Sequence, residues 1–190
     1  SMHAPPMNTA FLAKRYDTVG GVERNLFELT RRFARAGHAV TVYCLEARRP
    51  PEPGVRIVPL RPGGPGRAAA LWTYAWLGPR RAYAGGHDVV ISFVRALRQD
   101  IVRNGSGTHR LFLDKMAETG GPLRRLRHQL DLYHRSLLAI ERRQYMPGHY
   151  RRIVANAPIV KQDVMDTYGV PDRDIRVLFT GANPDPFNPA

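Results

Sequence analysis

Apolar positions along this chain follow two rhythms, short continuous runs and helical stripes, and the two alternate. Residues 8–13 form a short apolar run that passes through Lys14, Arg15, Tyr16 and Asp17 into Val19-Gly20-Gly21-Val22. That pattern predicts a buried strand entering a glycine turn. Val22, Leu26, Leu29 and Phe33 then recur at i, i+4, i+7 and i+11, with Glu23, Arg24, Glu28, Arg31, Arg32 and Arg35 mostly on the other side and Gly37 as the stop signal, as expected of an amphipathic helix. Residues 39–44 and 55–60 are β-branched and aromatic runs separated by Pro50, Pro51 and Pro53, and predict strands two and three. Residues 67–84, alanine-rich with Leu71, Trp72, Trp76 and Leu77, predict a helix, and residues 89–93 a strand buried on both faces. A further strand is expected at 100–103, followed by the loop Asn104-Gly105-Ser106-Gly107-Thr108-His109. One helix is expected over 123–145, a strand over 152–155, a short helix over 159–168 ended by Gly169, and a last strand over 175–179.

Strands alternating with helices at these spacings point to an α/β fold, a Rossmann-like doubly wound parallel sheet with helices on both faces. A length of 190 residues suits one domain with a real core, since about 70% of the unfolded surface is buried at this size. No apolar run approaches the roughly 18 to 20 residues of a membrane span. No basic segment leads into an apolar stretch near the N-terminus, so a cytoplasmic location is expected. Cys44, the single cysteine, ends an apolar run and reads as core packing rather than as a nucleophile.

Charge changes the picture. The formal net charge is +13, and such a field attracts phosphate-bearing partners. Lys14, Lys115 and Lys161 are the lysines, so the positive charge is almost entirely arginine. It concentrates on the expected helix at 123–145, where Arg124, Arg125, Arg127, His128, Arg135, Arg142 and Arg143 accompany an apolar stripe of Leu123, Leu126, Leu130, Tyr133, Leu137 and Ile140. A stripe beside a basic face suits a helix lying on an anionic membrane surface, and equally an ordinary helix whose stripe is core and whose arginines are solvated.

Two segments could carry chemistry. Gly20-Gly21 lies between a strand and a helix, where backbone amides and the positive end of the helix dipole can hold a phosphate; the alternative is a tight turn with no ligand. His109 follows Gly-Ser-Gly-Thr on the side of the sheet where open α/β folds bind ligands. It is either a site residue acting at neutral pH or a solvated loop histidine. The other histidines show no metal-ligand spacing, so no metal is expected. Neither G-x-G-x-x-G nor G-x-x-x-x-G-K-[ST] occurs, which argues against a nicotinamide oxidoreductase and an ATPase. A basic module binding anionic surfaces or nucleic acid without catalysis is the alternative from charge, though no nucleic-acid recognition motif supports specific binding.

Five segments in order, Thr18-Val19-Gly20-Gly21-Val22-Glu23-Arg24, Arg35-Ala36-Gly37-His38-Ala39-Val40-Thr41-Val42, His87-Asp88-Val89-Val90, Asn104-Gly105-Ser106-Gly107-Thr108-His109 and Phe179-Thr180-Gly181-Ala182-Asn183-Pro184-Asp185-Pro186-Phe187, resemble the N-terminal half of GT-B glycosyltransferases of family four. The lipopolysaccharide core glucosyltransferase type is the nearest. The resemblance implies retaining transfer of a sugar from a nucleotide-diphosphate donor to a glycan or lipid-linked acceptor, with no cofactor and no obligatory metal. It puts Gly20 and Gly21 against the donor diphosphate and acceptor, and His109, the implied catalytic residue, near the reacting centre. Glu23, Asn25, Gly107 and Thr108 join the implied substrate-binding set. Arg124, Arg125, Arg127, Arg135, Arg142 and Arg143 match the region by which that type touches the inner face of the membrane. Asn25 replaces an acidic residue of that type, and Asn183 follows Gly181-Ala182 where the family usually has aspartate after Gly-Val. No two glutamates stand at the E-x7-E spacing of the family's donor-binding domain. The resemblance therefore makes residues 1–190 an acceptor-side domain, with 180–190 starting the linker to a C-terminal donor-binding domain outside this sequence.

Overall fold

The computed structural model describes residues 5–179, with the side chains of Ala117 and of residues 121–130 left aside. The expected calls on Arg124, Arg125, Arg127 and on the linker at 180–190 lie outside the described residues. Seven parallel strands, β1 (Asn8–Tyr16), β2 (Ala39–Ala47), β3 (Val55–Pro59), β4 (Val89–Ser92), β5 (Ile101–Asn104), β6 (Arg152–Ala155) and β7 (Ile175–Val177), form one sheet in the order β3-β2-β1-β4-β5-β6-β7. Every neighbouring pair is parallel, from Thr41 opposite Arg56 at one edge to Val154 opposite Arg176 at the other. The chain starts at the centre, builds to one edge, and returns across the centre to build to the other. This reversal opens a crevice at the carboxyl ends of β1 and β4.

The helices are α1 (Gly21–Arg35), α2 (Gly66–Ala84), α3 (His109–Leu130), α4 (Leu132–Gln144) and α5 (Pro158–Tyr168). The central strands are buried on both faces, so they read as apolar runs rather than alternations. Phe11, Ala13, Val40, Val42 and Cys44 meet Leu26, Phe27, Leu29 and Phe33 of α1 on one face. Ala10, Leu12, Tyr43 and Val90 meet Tyr74 and Ala82 of α2 on the other. Cys44 is wholly buried, and burial pushes its thiol up to about 11, so it packs and does not react. Val102, Ile153, Ala155 and Ile175 pack with Tyr145, Val160 and Val164 beneath α4 and α5. On the opposite face of β6 and β7, Arg152 and Arg176 are exposed and Val154 is half-buried.

The expected single helix over 123–145 is two helices. Asp131 leaves helical geometry with φ −68° and ψ 117°, and its carboxylate accepts the Tyr133 N–H at 2.9 Å, which starts α4 anew. Aspartate competes for local backbone donors and favours caps over helix interiors. The new start turns Leu137 and Ile140 into the core, so that this end of the apolar stripe is protein interior. No described helix is long and apolar enough to cross a membrane. Replacing Asp131 with Ala should lower stability to urea by about 0.5–2 kcal/mol, with Asn retaining most of it; an Asp131→Ala midpoint equal to the parent's would mean that the cap contributes nothing.

Candidate active site

The crevice is built by loops at the carboxyl ends of β1, β4 and β5. After β1, Asp17 is nearly buried and its carboxylate accepts the N–H groups of Thr18 at 2.7 Å and Val19 at 3.4 Å, closing a local turn. Gly20 follows at φ 102°, in the left-handed region, and Gly21 begins α1. A side chain at Gly20 would also collide with the Glu23 carboxylate. Glu23, in the first turn of α1, lies against the helix N-terminus, where the dipole favours negative charge. At Gly21 the reverse holds, since a methyl group would meet nothing within 4 Å. Asn25, on the next part of that turn, is half-buried.

After β5 the chain makes another turn on a buried side chain. Asn104 Oδ1 accepts the N–H groups of Ser106 at 3.1 Å and Gly107 at 2.9 Å, while its Nδ2 donates to the Tyr145 hydroxyl at 2.8 Å. Gly107 adopts φ 89°. Thr108 is 3% exposed: its N–H and hydroxyl donate to the Asp163 carboxylate at 2.6 and 3.1 Å, and its oxygen accepts the Leu111 N–H at 3.1 Å. Thr108 thus caps α3 and ties it to α5, and both of its polar groups are occupied within the protein. Val22, Phe93, Val94, Arg95, Arg103 and the 104–107 turn line a small cleft against α4, with Glu141, Gln144 and Tyr145 as its back wall.

Glu141 is the hub of that wall. It is 2% exposed and accepts from Arg95 Nε at 2.9 Å, from both sides of the His109 N–H contact at 2.8 and 2.9 Å, and from the Tyr168 hydroxyl at 2.5 Å. Gln144, one turn on, donates to Ser92 Oγ at 3.2 Å, the Val94 carbonyl at 2.9 Å and Gln99 Oε1 at 3.0 Å. The expected site residues did not include Glu141, Arg95, Arg103, Asn104 or Gln144. The signal present in the sequence was a charged Glu141 and polar Gln144 placed on the same side of a helix as Leu137 and Ile140, where only partnered polar groups are tolerated.

His109 is the first residue of α3 and is 8% exposed, so it is not a solvated loop histidine. Its ring stacks on Phe112 with centroids 5.6 Å apart, and Nε2 hydrogen-bonds His134 Nδ1 at 3.0 Å. The cleft lining ends at Gly107, and the imidazole turns toward α4 rather than into it. Burial, then the Arg95 and His134 charges, push the imidazole down to about 4, so it is neutral at physiological pH. Of the expected site residues Gly107 lines the cleft; Gly20, Gly21 and Glu23 belong to the turn and first helical turn next to Val22, which also lines it; Asn25 is not in the lining, and Thr108 and His109 lie behind it. Arg135, Arg142 and Arg143 lie elsewhere, exposed on the outer side of α4.

The sequence model of the family described as Glycosyltransferase Family 4 matches residues 19–186. A probable transglycosylase of Burkholderia thailandensis is 30% identical over 182 residues, covering 90% of this chain and 44% of the relative. Among solved structures, WaaG, a glycosyltransferase involved in lipopolysaccharide biosynthesis, matches with a TM-score of 0.77 at 20% identity, over 93% of this chain and 46% of that one. A glycosyltransferase from Rickettsia africae matches with a TM-score of 0.53 at 13% identity, over 97% and 46%. The two structures share the fold. This chain spans less than half the length of each of these relatives.

Protonating His109 costs more in the folded protein than in the unfolded chain. Its stabilising neutrality is complete above about pH 6.5 and is lost as pH falls toward 4, because in that window the unfolded chain takes up a proton that the native state refuses. Urea titrations of a His109→Gln variant across pH 7 to pH 4 are therefore expected to show a shallower acid loss than the parent. Parallel curves would show that His109 does not titrate as a buried neutral group.

Proposed function

This chain belongs to Glycosyltransferase Family 4, and on that footing we propose that the full-length protein transfers a sugar, with retention of configuration, from a nucleotide-diphosphate donor to a glycan or lipid-linked acceptor. Residues 1–190 are the acceptor-side domain in this reading, and the donor nucleotide is held by a C-terminal domain closing over the crevice. The chain alone is then inactive. The observation that carries the reading is the Gly20-Gly21 turn, which starts α1 beside the cleft and leaves open space over Gly21. A diphosphate can approach the backbone there as it cannot where a side chain projects.

The cleft's electrostatics support the same chemistry. Arg103 makes no ion pair among the described residues and stacks its guanidinium on Phe93 at 5.0 Å, partly desolvated, at the cleft wall. With the α1 N-terminus it supplies the positive field that a diphosphate leaving group needs. No resident metal is part of the proposal. The one carboxylate in the cleft lining, Glu141, has its oxygens committed to Arg95, His109 and Tyr168. It is therefore held as a structural group and is not available as a base. His109 lies behind the cleft lining and serves in this reading as a neutral positioning group that holds the start of α3 against α4.

Peripheral attachment to the inner face of the cytoplasmic membrane completes the proposal. The support is an aromatic and cationic surface on α2 and α4. Trp76 is 51% exposed with Arg80 over its ring at 4.9 Å, Arg143 covers Trp72 at 5.5 Å, and Arg135 and Arg142 project to solvent. Indole rings flanked by guanidiniums suit the headgroup region of anionic lipid.

In the full-length protein, Gly21→Ala should retain or slightly raise the thermal midpoint, since alanine is the better helix former by roughly 0.5–1 kcal/mol. It should nevertheless lose roughly tenfold or more in kcat/KM with a nucleotide-sugar donor, because the new methyl group occupies ligand space. Undiminished transfer would remove the glycine turn from the donor site. For the membrane, a Trp76→Ser, Arg142→Glu, Arg143→Glu variant is expected to sediment less with phosphatidylglycerol vesicles than the parent; equal sedimentation would locate any attachment elsewhere.

A further inference from the structure

A second concavity, of about 530 Å³, opens at the other end of the sheet, away from the crevice. It exists because α2, having covered β1 and β4, ends at Gly85 before reaching the edge strand. On the α2 face of β2 and β3 the paired residues Thr41 and Arg56, then Tyr43 and Val58, form its floor. Arg81, Ala84, Gly85 and His87 form one wall, and Asn8, Ala39 and Gly54 the rim.

The polar groups of this concavity are arranged and partly unspent. His87 Nδ1 hydrogen-bonds Asn8 Oδ1 at 2.8 Å, and its Nε2 hydrogen-bonds the Tyr43 hydroxyl at 2.8 Å, with the rings edge to face. A chain in which Nδ1–H donates to Asn8 Oδ1 leaves Nε2 to accept from the Tyr43 hydroxyl, so the imidazole is fixed within the protein. Gly85 makes room for this pair: a methyl group there would lie 2.6 Å from the Tyr43 hydroxyl and 2.7 Å from His87 Nε2. The Thr41 hydroxyl makes no hydrogen bond within the protein among the described residues. Neither Arg56 nor Arg81 has an ion pair there, although ten acid–base contacts occur elsewhere on the molecule. Asp88, which acts on His87, is not in the lining, and its carboxylate accepts the Asn8 N–H at 2.7 Å. Both guanidiniums line the concavity and act on the Tyr43 phenol, while Arg56 and Asp88 act in opposite senses on His87.

We propose that this concavity binds a phosphate ester, its oxygens held between the Arg56 and Arg81 guanidiniums and the Thr41 hydroxyl. Guanidinium forks match the tetrahedral oxygens of phosphate, and an uncompensated pair of arginines gains from a shared anion what each lacks from the protein. The last-turn carbonyls of α2 oppose the anion with about half a negative charge, which two full positive charges exceed. The volume falls within the 300 to 1,000 Å³ range of small-molecule sites, roughly, and accommodates a sugar phosphate or nucleotide. This site is independent of the crevice and remains outside when a second domain closes over the carboxyl ends of the strands. A ligand here is an effector or an anchoring headgroup and takes no part in transfer.

The test is calorimetric titration of the full-length protein with inorganic pyrophosphate, comparing the parent with an Arg56→Gln/Arg81→Gln variant and with Arg56→Lys/Arg81→Lys. Both arginines are exposed and unpaired, so the variants should keep the parent's thermal midpoint. The parent should show a saturable, salt-sensitive site whose affinity falls about tenfold or more in the Gln variant, the scale of losing hydrogen bonds to charged groups. The Lys variant, with charge but no fork, should be intermediate. Sedimentation with phosphatidylglycerol vesicles separates the sources: loss of pyrophosphate binding alone assigns a soluble phosphate ester, and loss of both assigns a lipid headgroup phosphate. Identical pyrophosphate isotherms for the parent and the Gln variant overturn the proposal, whatever the vesicles do.

Discussion

The crevice depends on one buried charge. Glu141 projects from α4 into an interior that would expel a lone carboxylate, and three donors from separate parts of the chain hold it there: Arg95 after β4, the His109 N–H at the start of α3, and the Tyr168 hydroxyl at the end of α5. An ion pair of this kind is weak evidence of net stabilisation, because desolvation offsets most of its attraction. Its consequence is positional. Removing Arg95 leaves the carboxylate without its counter-charge, at about 3–5 kcal/mol for a fully buried pair and less here because Arg95 is about one-third exposed. The loops after β4 and β5 are therefore held in one arrangement relative to α4.

The neighbouring polar groups extend that constraint. Gln144 fixes Ser92, the Val94 carbonyl and Gln99; Tyr145 fixes Asn104, and Asn104 in turn folds the 105–107 turn. Asp163 of α5 does the same for Thr108. Three successive side chains of interest on α4 thus specify the loops that face the cleft, although the loops themselves carry the residues open to a ligand. Such division is common in open α/β folds, where packed elements supply rigidity and the carboxyl-end loops supply chemistry.

The central strands were legible in the sequence because they are buried on two faces and so appear as apolar runs. Residues 152–155 were bounded without error, and β1 was under-read only where Lys14 and Arg15 interrupt its apolar character. The long helix was misread for an identifiable reason: the stripe from Leu123 to Ile140 keeps its period across Asp131, and periodicity cannot register a cap that restarts a helix in phase. The family was legible from the spacing of its segments. The hub was not, since Glu141 lies 46 residues from Arg95 and 27 from Tyr168, and nothing local joins them. His109 was singled out by its position after the glycine turn, but its burial against Phe112 and His134 follows from the packing of α3 on α4, which is a tertiary fact.

The two ends of the sheet differ in how their arginines are used, and this difference separates structural from available charge. At the crevice, Arg95 is consumed by Glu141, so the positive field there rests on Arg103 and the α1 N-terminus. Arg103 lies against Phe93 with its guanidinium partly desolvated, which lowers the cost of ordering it for a ligand and strengthens its field in a cleft that water only partly fills. At the opposite end, Arg56 and Arg81 line one concavity and neither has an ion pair among the described residues. In a chain whose excess of arginine produces a net charge of +13, net charge by itself argues only for attraction to anions in general. What singles out these positions is concavity combined with the lack of an internal counter-ion, a combination that total charge cannot produce and that the geometry of the strand edges does.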